Sequence, residues 1–515
     1  MKTARLLFLA IGLLMLTVGR AEAQIHADTS GLWSNPATWA GDVVPTAADN
    51  VVIDSARTVT IDVASVECND LTVRGYLFFD LLNSGYRLTA HGNVTIHPAA
   101  RLRAGGATPV APRAHEIVFE KDLTNLAGGS FDMRVGSGAN VSVGRVVFAG
   151  TSNSVLTLSL TTYGSSVEEF NTVVINKTAG AKVVLAAGNL FQNNNTTNSP
   201  DTLILTSGII ETGPRHWAIL RTSSASIVGA SAASYVVGYI GRGVSNGGGT
   251  STIDFPVGDS VNYRPVNVRL NAPPNATGHY VWAKAHAGDA NTGTSAFVGG
   301  IDKVSALRYA ELGYLQNAGT SATMGFYGFG PSYSVNDGVN AGNTDLRVAY
   351  STDARATWTN IGPASDTTDL TTPPTTILGD SIGPAITLNT GNSIFVSLAR
   401  ATGTTTNTLG NVGTGVGEDE TVPDGYSLQQ NYPNPFNPET RIEFGVPERS
   451  HVRIAVFNLL GQEIAVLADN EFSAGTWAVS WNGKDASGRS VTSGTYFYRM
   501  RAGTHEQTLK AVLVK

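Results

Sequence analysis

The chain has 515 residues, of which 57 are glycine and only 14% are charged, and its formal net charge is −6. This length allows several domains with sizeable cores, and the recurrence of Gly, Thr, Ser, Asn and Val excludes a helical, highly charged cytosolic type in favour of all-β structure. No basic stripe is present, so nucleic acid is not an expected partner, and the single cysteine, Cys68, forms no intrachain disulfide and reads as a small buried hydrophobe on a strand.

Residues 1–23 have the pattern of a secretory signal peptide. Lys2 and Arg5 supply the positive start, Leu6 to Val18 the apolar run, and Ala21-Glu22-Ala23 the small-x-small site. Cleavage is expected between Ala23 and Gln24. The apolar run falls short of the ~20 residues that a membrane span requires.

Residues 24–264 carry short apolar-polar runs broken by Gly and Asn. Val51–Asp54, Thr58–Asp62 and Asp70–Val73 open the series, followed by Leu88–Ala90, Val94–His97 and Leu102–Ala104. Strands of four or five residues between tight corners predict coils of parallel strands, and the lack of a strict period makes this an irregular right-handed β-solenoid. The stretch WSNPATWAGDVVPTAADNVVIDSARTVTID, from Trp33 to Asp62, resembles the opening of G8-like modules of secreted bacterial proteins. Trp33 and Trp39 are expected to cap the open first coil; the competing role is stacking on sugar rings. The Asn246-Gly247-Gly248-Gly249 run reads as a hairpin loop between two strands.

Residues 265–400 predict a β-sandwich, with strands at Tyr280–Ala285, Leu307–Tyr314, Thr323–Tyr327, Leu346–Ser351 and Ile394–Leu398. The Gly-, Tyr- and Asn-rich segment from Phe326 to Thr344 reads as an exposed loop. Residues 401–425 lack periodicity and read as a flexible linker.

Catalytic constellations are thin. Glu168 and Glu169 are adjacent, so on a strand they point to opposite faces. Glu116, Glu120, Lys121, Asp122, Asp132 and Arg134 come nearest to a stacked charged groove, and a solvated rim is the plainer reading. His91, His97 and His115 are scattered without zinc-ligand spacing. No cofactor is expected; calcium is the one ion with an oxygen-rich loop to offer it, Asp337-Gly338 with Asn340, Asn343 and Asp345.

The last ninety residues are the densest in motifs. Arg441–Phe444, Val452–Asn458, Thr476–Trp481 and Tyr496–Arg501 alternate apolar and polar residues, with reversals at Asn458–Gly461, Asn482-Gly483 and Ser487-Gly488. The lead-in NYPNPFNP, the strand-turn VRIAVFNLLGQEI, the pair SAGTWAVSWNGKDASGRSVTSGTYFYRM and the terminal TLKAVLVK resemble the type A C-terminal sorting domain of the type IX secretion system. The resemblance assigns residues 426–515 to a small Ig-like β-sandwich. Its motif positions here are Asn431, Pro433, Asn434, Pro435, Phe436, Asn437, Pro438, Gly461, Gly494, Tyr496, Lys510 and Lys515. It implies passage through the periplasm to the cell surface or the medium, with the outer-membrane secretion machinery and a surface sortase as partners. The cargo is then expected to be structural, adhesive or polysaccharide-binding, meeting extracellular polysaccharide or surface matrix. The alternative is a polysaccharide lyase or hydrolase on the solenoid. A groove gathering two or more carboxylates with a Lys, Arg or His within ~4 Å would favour the enzyme.

Overall fold

The computed structural model describes residues 24–514, apart from internal segments of which the longest are 161–167, 193–201, 273–279, 316–323, 334–345, 364–374, 377–385 and 410–424. The expected leader, residues 1–23 with its cleavage site at Ala23, falls outside the described residues. The described chain is all-β, with one short 3-10 turn at Pro36–Thr38. It divides into two units, residues 1–414 and 415–515.

The first unit begins as a β-solenoid with three parallel faces. The first face stacks Gln24–His26, Asn50–Ile53, Leu71–Val73, Val94–Ile96, Leu123–Asn125, Ser154–Thr157, Lys182–Ala187 and Ile209–Ile219. The second stacks Gly31–Leu32, Thr58–Ile61, Tyr76–Phe79, Arg101–Arg103, Ser130–Asp132 and Glu168–Glu169. The third stacks Ser65–Cys68, Arg87–Ala90, Arg113–Phe119, Asn140–Gly150, Val173–Lys177, Leu203–Ser207 and Ile227–Val228.

Strand alternation sends every second side chain inward, and register places like on like. Val51, Leu71, Val94, Leu123 and Leu156 form one interior ladder. Val59, Leu77, Leu102 and Phe131 form the second, and Val66, Leu88, Ile117, Val146, Val173 and Leu203 the third. None of these residues is more than 5% exposed. Burying each contributes about 1.5–3 kcal/mol. The register shows why the sequence has no period: successive first-face steps span 26, 20, 23, 29, 33, 29 and 27 residues. The differences in length lie in the corners, and the longer middle coils hold larger interior groups. Along one third-face ladder, Cys68 and Ala90 give way to Phe119 and Phe148. The ring of Phe119 packs 5.7 Å from Phe148 and 5.9 Å from Phe131. Cys68 is buried as expected, and burial pushes its thiol up to about 12.

Two polar groups enter this interior together. Asn125 succeeds Ile96 on the first face and Glu168 succeeds Phe131 on the second. The Asn125 Nδ2 donates to Glu168 Oε1 at 2.6 Å. The same carboxylate accepts from the Ser159 N–H (2.7 Å), the Ser159 hydroxyl (2.9 Å) and the Leu160 N–H (2.9 Å). Glu168 therefore holds a coil corner from inside.

Beyond the solenoid, Val236–Gly243 is the junction strand. It runs parallel to Ile209–Ile219 on one side and antiparallel to Tyr280–Ala287 on the other. The sheet continues antiparallel through Arg308–Leu315, Ser393–Ala401, Leu346–Ser351 and Thr357–Pro363. A second antiparallel sheet holds Gly249–Phe255, Val266–Ala272 and Met324–Tyr333. Val268, Leu270, Phe326 and Phe329 share one buried cluster with Val281, Leu312, Val396 and the solenoid ladders. Residues on both sides of position 265 thus belong to one sheet and one core. Two expectations are corrected here. Residues 326–333 are strand rather than loop, because Phe326 and Phe329 are core residues. The strands around the Gly247–Gly249 run do not form a hairpin; Val236–Gly243 and Gly249–Phe255 enter different sheets.

The second unit packs Ser427–Leu428, Thr440–Val446 and Gly475–Trp481 as one sheet. Glu463–Phe472, Ser450–Phe457, Gly494–Ala502 and His505–Leu513 form the other. Ile442, Phe444, Val452, Ile454, Trp481 and Tyr498 lie in the core between them. Ser487 and Gly488 fall outside the described residues.

Replacing Glu168 by Ala strands the donors of Asn125, Ser159 and Leu160 in the interior. It should lower unfolding stability by on the order of 3 kcal/mol in denaturant titration, with Glu168→Gln costing less. His115 gives a pH signature. Its ring is sandwiched between Phe79 (4.8 Å) and Tyr86 (5.5 Å), and neither ring nitrogen has a hydrogen-bond partner. Burial pushes its pKa down from 6.5 to about 4. The unfolded chain binds this proton first, so stability is full above pH 6.5 and falls as pH drops toward 4. His115→Leu should flatten that part of the stability–pH profile; an unchanged slope would show that His115 is not its source.

Candidate functional site

The outward side of the second face collects the groups most suited to binding. Its strands are short, so each coil presents two or three outward positions, and stacking lines them up along the solenoid axis. One row runs Thr58, Tyr76, Arg101, Ser130; the next runs Thr60, Phe78, Arg103, Asp132, Glu169. Tyr76 and Phe78 are two residues apart on one strand, and their rings stack with near-parallel planes, 5.9 Å between centroids and 16° between planes. The Arg101 guanidinium stands 5.6 Å over the Tyr76 ring. Both aromatic residues are half-buried, and Arg101 is exposed.

Charge pairs close the far end of these rows. The Arg103 Nε donates to Asp132 Oδ2 at 2.8 Å, and Nη2 meets the same oxygen. Asp132 Oδ1 accepts from the Arg134 N–H at 2.9 Å, and the Arg134 Nη1 lies 4.0 Å from Glu169 Oε2. Asp132 is only 2% exposed. Burial lifts its carboxyl above the ordinary range, and the Arg103 and Arg134 charges oppose that shift. Two carboxylates and two guanidiniums therefore meet on adjacent coils, with Asp132 already engaged.

The charged group expected as a rim is split three ways. Asp132 and Arg134 belong to this buried second-face cluster. Glu116 lies on the third face between Arg87 (3.3 Å) and Arg145 (3.6 Å). Glu120 sits at the next corner, where His91 bridges it (3.1 Å) to Glu67 (3.2 Å), and hydrogen bonding to Glu120 raises the His91 pKa. Asp122 accepts from the Val155 N–H at 2.8 Å, a link between successive coils. Lys121 is exposed on the same corner. Glu168 faces the interior and Glu169 the surface, as adjacent strand residues must.

Trp33 and Trp39 sit at the end of the solenoid, 1% and 2% exposed. Their rings meet edge to face at 4.9 Å, and Trp39 Nε1 donates to the Trp33 carbonyl at 2.8 Å. This is a cap, and it leaves neither ring face open to a sugar. A cleft of about 410 Å³ beside them is lined by Trp33, Val44, Pro45, Val63, Val66 and Glu67 among others. Among the described residues no three His, Cys, Asp or Glu side chains are placed to hold a metal ion. The calcium candidate at Asp337–Asp345 lies outside the described residues.

Tyr76, Phe78 and Arg101 were not singled out in the sequence. Their only signature there is a pair of polar-flanked runs, Tyr76–Phe79 and Arg101–Arg103, whose stacking depends on coil lengths that the sequence does not announce.

In the terminal unit the Pro- and Asn-rich lead-in is bound to the last strand. The Phe436 N–H donates to the Val512 carbonyl and the Val514 N–H to the Phe436 carbonyl, both at 2.9 Å. Asn434 Oδ1 accepts from the Val512 N–H at 2.9 Å. The bond from Asn434 to Pro435 is cis, and Asn437 is exposed beyond it. Phe436 packs on Trp481 (5.4 Å), and Trp481 on Tyr496 (5.0 Å). The Tyr496 hydroxyl donates to the Thr492 carbonyl at 2.7 Å, near Gly494 at the start of that strand. The Asn431 N–H donates to the Tyr498 hydroxyl at 2.8 Å, which donates to the Gln429 carbonyl at 2.9 Å. Gly461 closes the Asn458 turn at a φ of 75°. Lys510 is exposed, and its carbonyl accepts from Gln430 and Asn434. Pro433, Pro438 and Lys515 lie outside the described residues.

Comparison with known families matches both ends of this architecture. Residues 38–159 match the G8 domain, and residues 430–515 match the secretion system C-terminal sorting domain. No curated protein matches the chain. Among solved structures, dimeric latent PorU from Porphyromonas gingivalis aligns over 49% of this chain and 24% of its own, at 12% identity and a TM-score of 0.16, too low to carry an argument. The sorting domain makes this a protein exported by the type IX secretion system to the cell surface or the medium, through interaction with that machinery. Deleting Tyr426–Lys515 should trap the chain in the periplasm, as cell fractionation would show; surface delivery of the truncated chain would contradict the assignment.

Proposed function

We propose that the exported chain is a polysaccharide-binding protein of the cell exterior, and that the second face of its solenoid holds the ligand. The observation that carries this reading is the stacked, near-parallel Tyr76–Phe78 pair with Arg101 over the Tyr76 ring. Two half-buried stacked rings offer apolar edges to the C–H groups of a pyranose ring, and their polar surround suits the hydroxyls. Arg101 adds a cation to one end of the platform, which favours a saccharide bearing carboxylate or sulfate. The rows run along the axis, so a linear chain lying across several coils meets ring, cation and hydroxyl in turn.

The same reading takes the leader to be removed between Ala23 and Gln24, where the first strand begins. It treats residues 24–264 and 265–400 as the cargo's solenoid and sandwich parts, 401–425 as their tether, and a surface sortase as the enzyme that separates cargo from sorting domain.

A second reading, a lyase or hydrolase, is favoured by one observation: Asp132 and Glu169 on adjacent coils with Arg103 and Arg134 in reach. Against it, Asp132 is closed off and ion-paired, whereas an acid–base pair needs access to the glycosidic oxygen.

The mature chain should retain acidic polysaccharides such as alginate or polygalacturonate over neutral dextran in affinity electrophoresis. Tyr76→Ala or Arg101→Ala should weaken that binding roughly tenfold, about 1.4 kcal/mol, and higher salt should weaken it further. Equal binding by these variants would remove the site from consideration, and release of reducing ends by the intact chain would establish the enzymatic reading instead.

A further inference from the structure

We infer that Leu459 and Leu460, at a hairpin tip of the sorting unit, are the knob by which that unit docks into an apolar recess of the outer-membrane secretion machinery. The two side chains are 71% and 83% exposed, and Leu460 is the most exposed large apolar side chain among the described residues. Scattered exposed leucines are ordinary, but two adjacent ones on a tip are a concentrated apolar feature.

The tip is held rigid by the residues around the leucines. Asn458 Oδ1 accepts from the N–H groups of Leu460 and Gln462, each at 3.0 Å. The Asn458 N–H donates to the Gln462 carbonyl and the Gly461 N–H to the Asn458 carbonyl, both at 3.0 Å. Asn458 Nδ2 donates to Gln462 Oε1 at 2.8 Å. Gly461 supplies the positive φ that closes the turn. Asn458, Gly461 and Gln462 therefore make the turn, and neither leucine side chain belongs to the unit's buried core. A polar pair would serve the fold equally well. A rigid, preorganised apolar tip is what binding to a preformed recess rewards, since little side-chain freedom remains to be lost.

The surroundings select the partner. Gln462 and Glu463 flank the tip, and the nearest arginine on its two strands, Arg453, is engaged by Glu463 (2.8 Å) and Asp469 (3.3 Å). A bilayer-seeking tip carries free basic residues, whereas Arg499, 4.7 Å over the ring of Phe457 beside the tip, is paired with Glu506 (3.4 Å). Two side chains are also far too little surface for a stable self-association. The knob lies inside residues 430–515, the region matched to the secretion system C-terminal sorting domain. A protein recess in that machinery is the occupant that fits the size, the neutral-to-acidic rim and the place in the chain.

The test uses the full chain in a cell that exports it through the type IX system. Leu459→Ser combined with Leu460→Ser should shift the protein to the periplasm, with surface protein falling at least ~10-fold, as loss of two buried leucines predicts. Leu459→Met with Leu460→Met should export normally, because methionine preserves the apolar knob. Thermal unfolding of the purified Ser and Met variants should match the parent, since exposed positions contribute little to stability. Normal surface delivery of the Ser variant would overturn the inference. So would export loss shared by the Met variant, or parent-like binding to outer-membrane lipid vesicles that the Ser variant loses. Saccharide binding by the solenoid is a separate property and should be the same in all three proteins.

Discussion

Everything in the first unit depends on coil-on-coil stacking of apolar ladders. No coil can bury its own inward side chains; Val51 is shielded because Leu71 lies in register beneath it, and Leu71 because Val94 follows. Parallel pairing supplies the backbone hydrogen bonds and fixes the register, and the register turns a loose series of apolar residues into a continuous core. The same constraint creates two open ends. At the start, Trp33 and Trp39 close the first coil with a pair of large rings. At the finish, Val236–Gly243 passes the sheet on to antiparallel strands, so the last coil is covered by the next part of the chain.

Two polar groups of the interior, Asn125 and Glu168, are hydrogen-bonded to each other. Asn125 and Glu168 replace apolar members of two ladders at the point where a coil carries a long excursion. Glu168 satisfies the corner's backbone donors from within, and Asn125 donates to Glu168 and to the Gly129 carbonyl. Lys177 acts alike at another corner, donating to the carbonyls of Glu120 (2.9 Å) and Ala149, and burial pushes its pKa down to about 8. These are internal ties between coils of unequal length. They explain how a solenoid without a repeating period keeps its register.

Once the inward positions are spent on the core, the outward positions are free to vary, and stacking converts that freedom into rows. On the second face the rows read aromatic, cation and ion pair along the axis. On the third face Arg87, Glu116 and Arg145 form an exposed charge column that contributes little beyond solubility. The terminal unit is built on a different scheme, with its Pro- and Asn-rich lead-in hydrogen-bonded to the final strand. Its core is its own, as a portable export module requires.

Much was legible in the sequence because it lies in short-range pattern. Alternation in Thr58–Ile61 or Val94–Ile96 announces strands, Gly and Asn announce corners, and the motifs from Asn431 to the C-terminus announce the export route. What the sequence could not show is which coil lies on which. Register depends on the spacing between strands in three dimensions, and corners of unequal length hide it. Hence Tyr76, Phe78 and Arg101, which belong to two different strand runs, became one platform only in the folded chain. Asp132 and Arg134, which read as a solvated rim, proved to be buried. The Phe326 segment read as a loop from its glycines, yet tertiary packing made it a core strand. Local chemistry determined the fold class and the destination of this protein; the juxtaposition of Tyr76, Phe78 and Arg101 was decided by stacking.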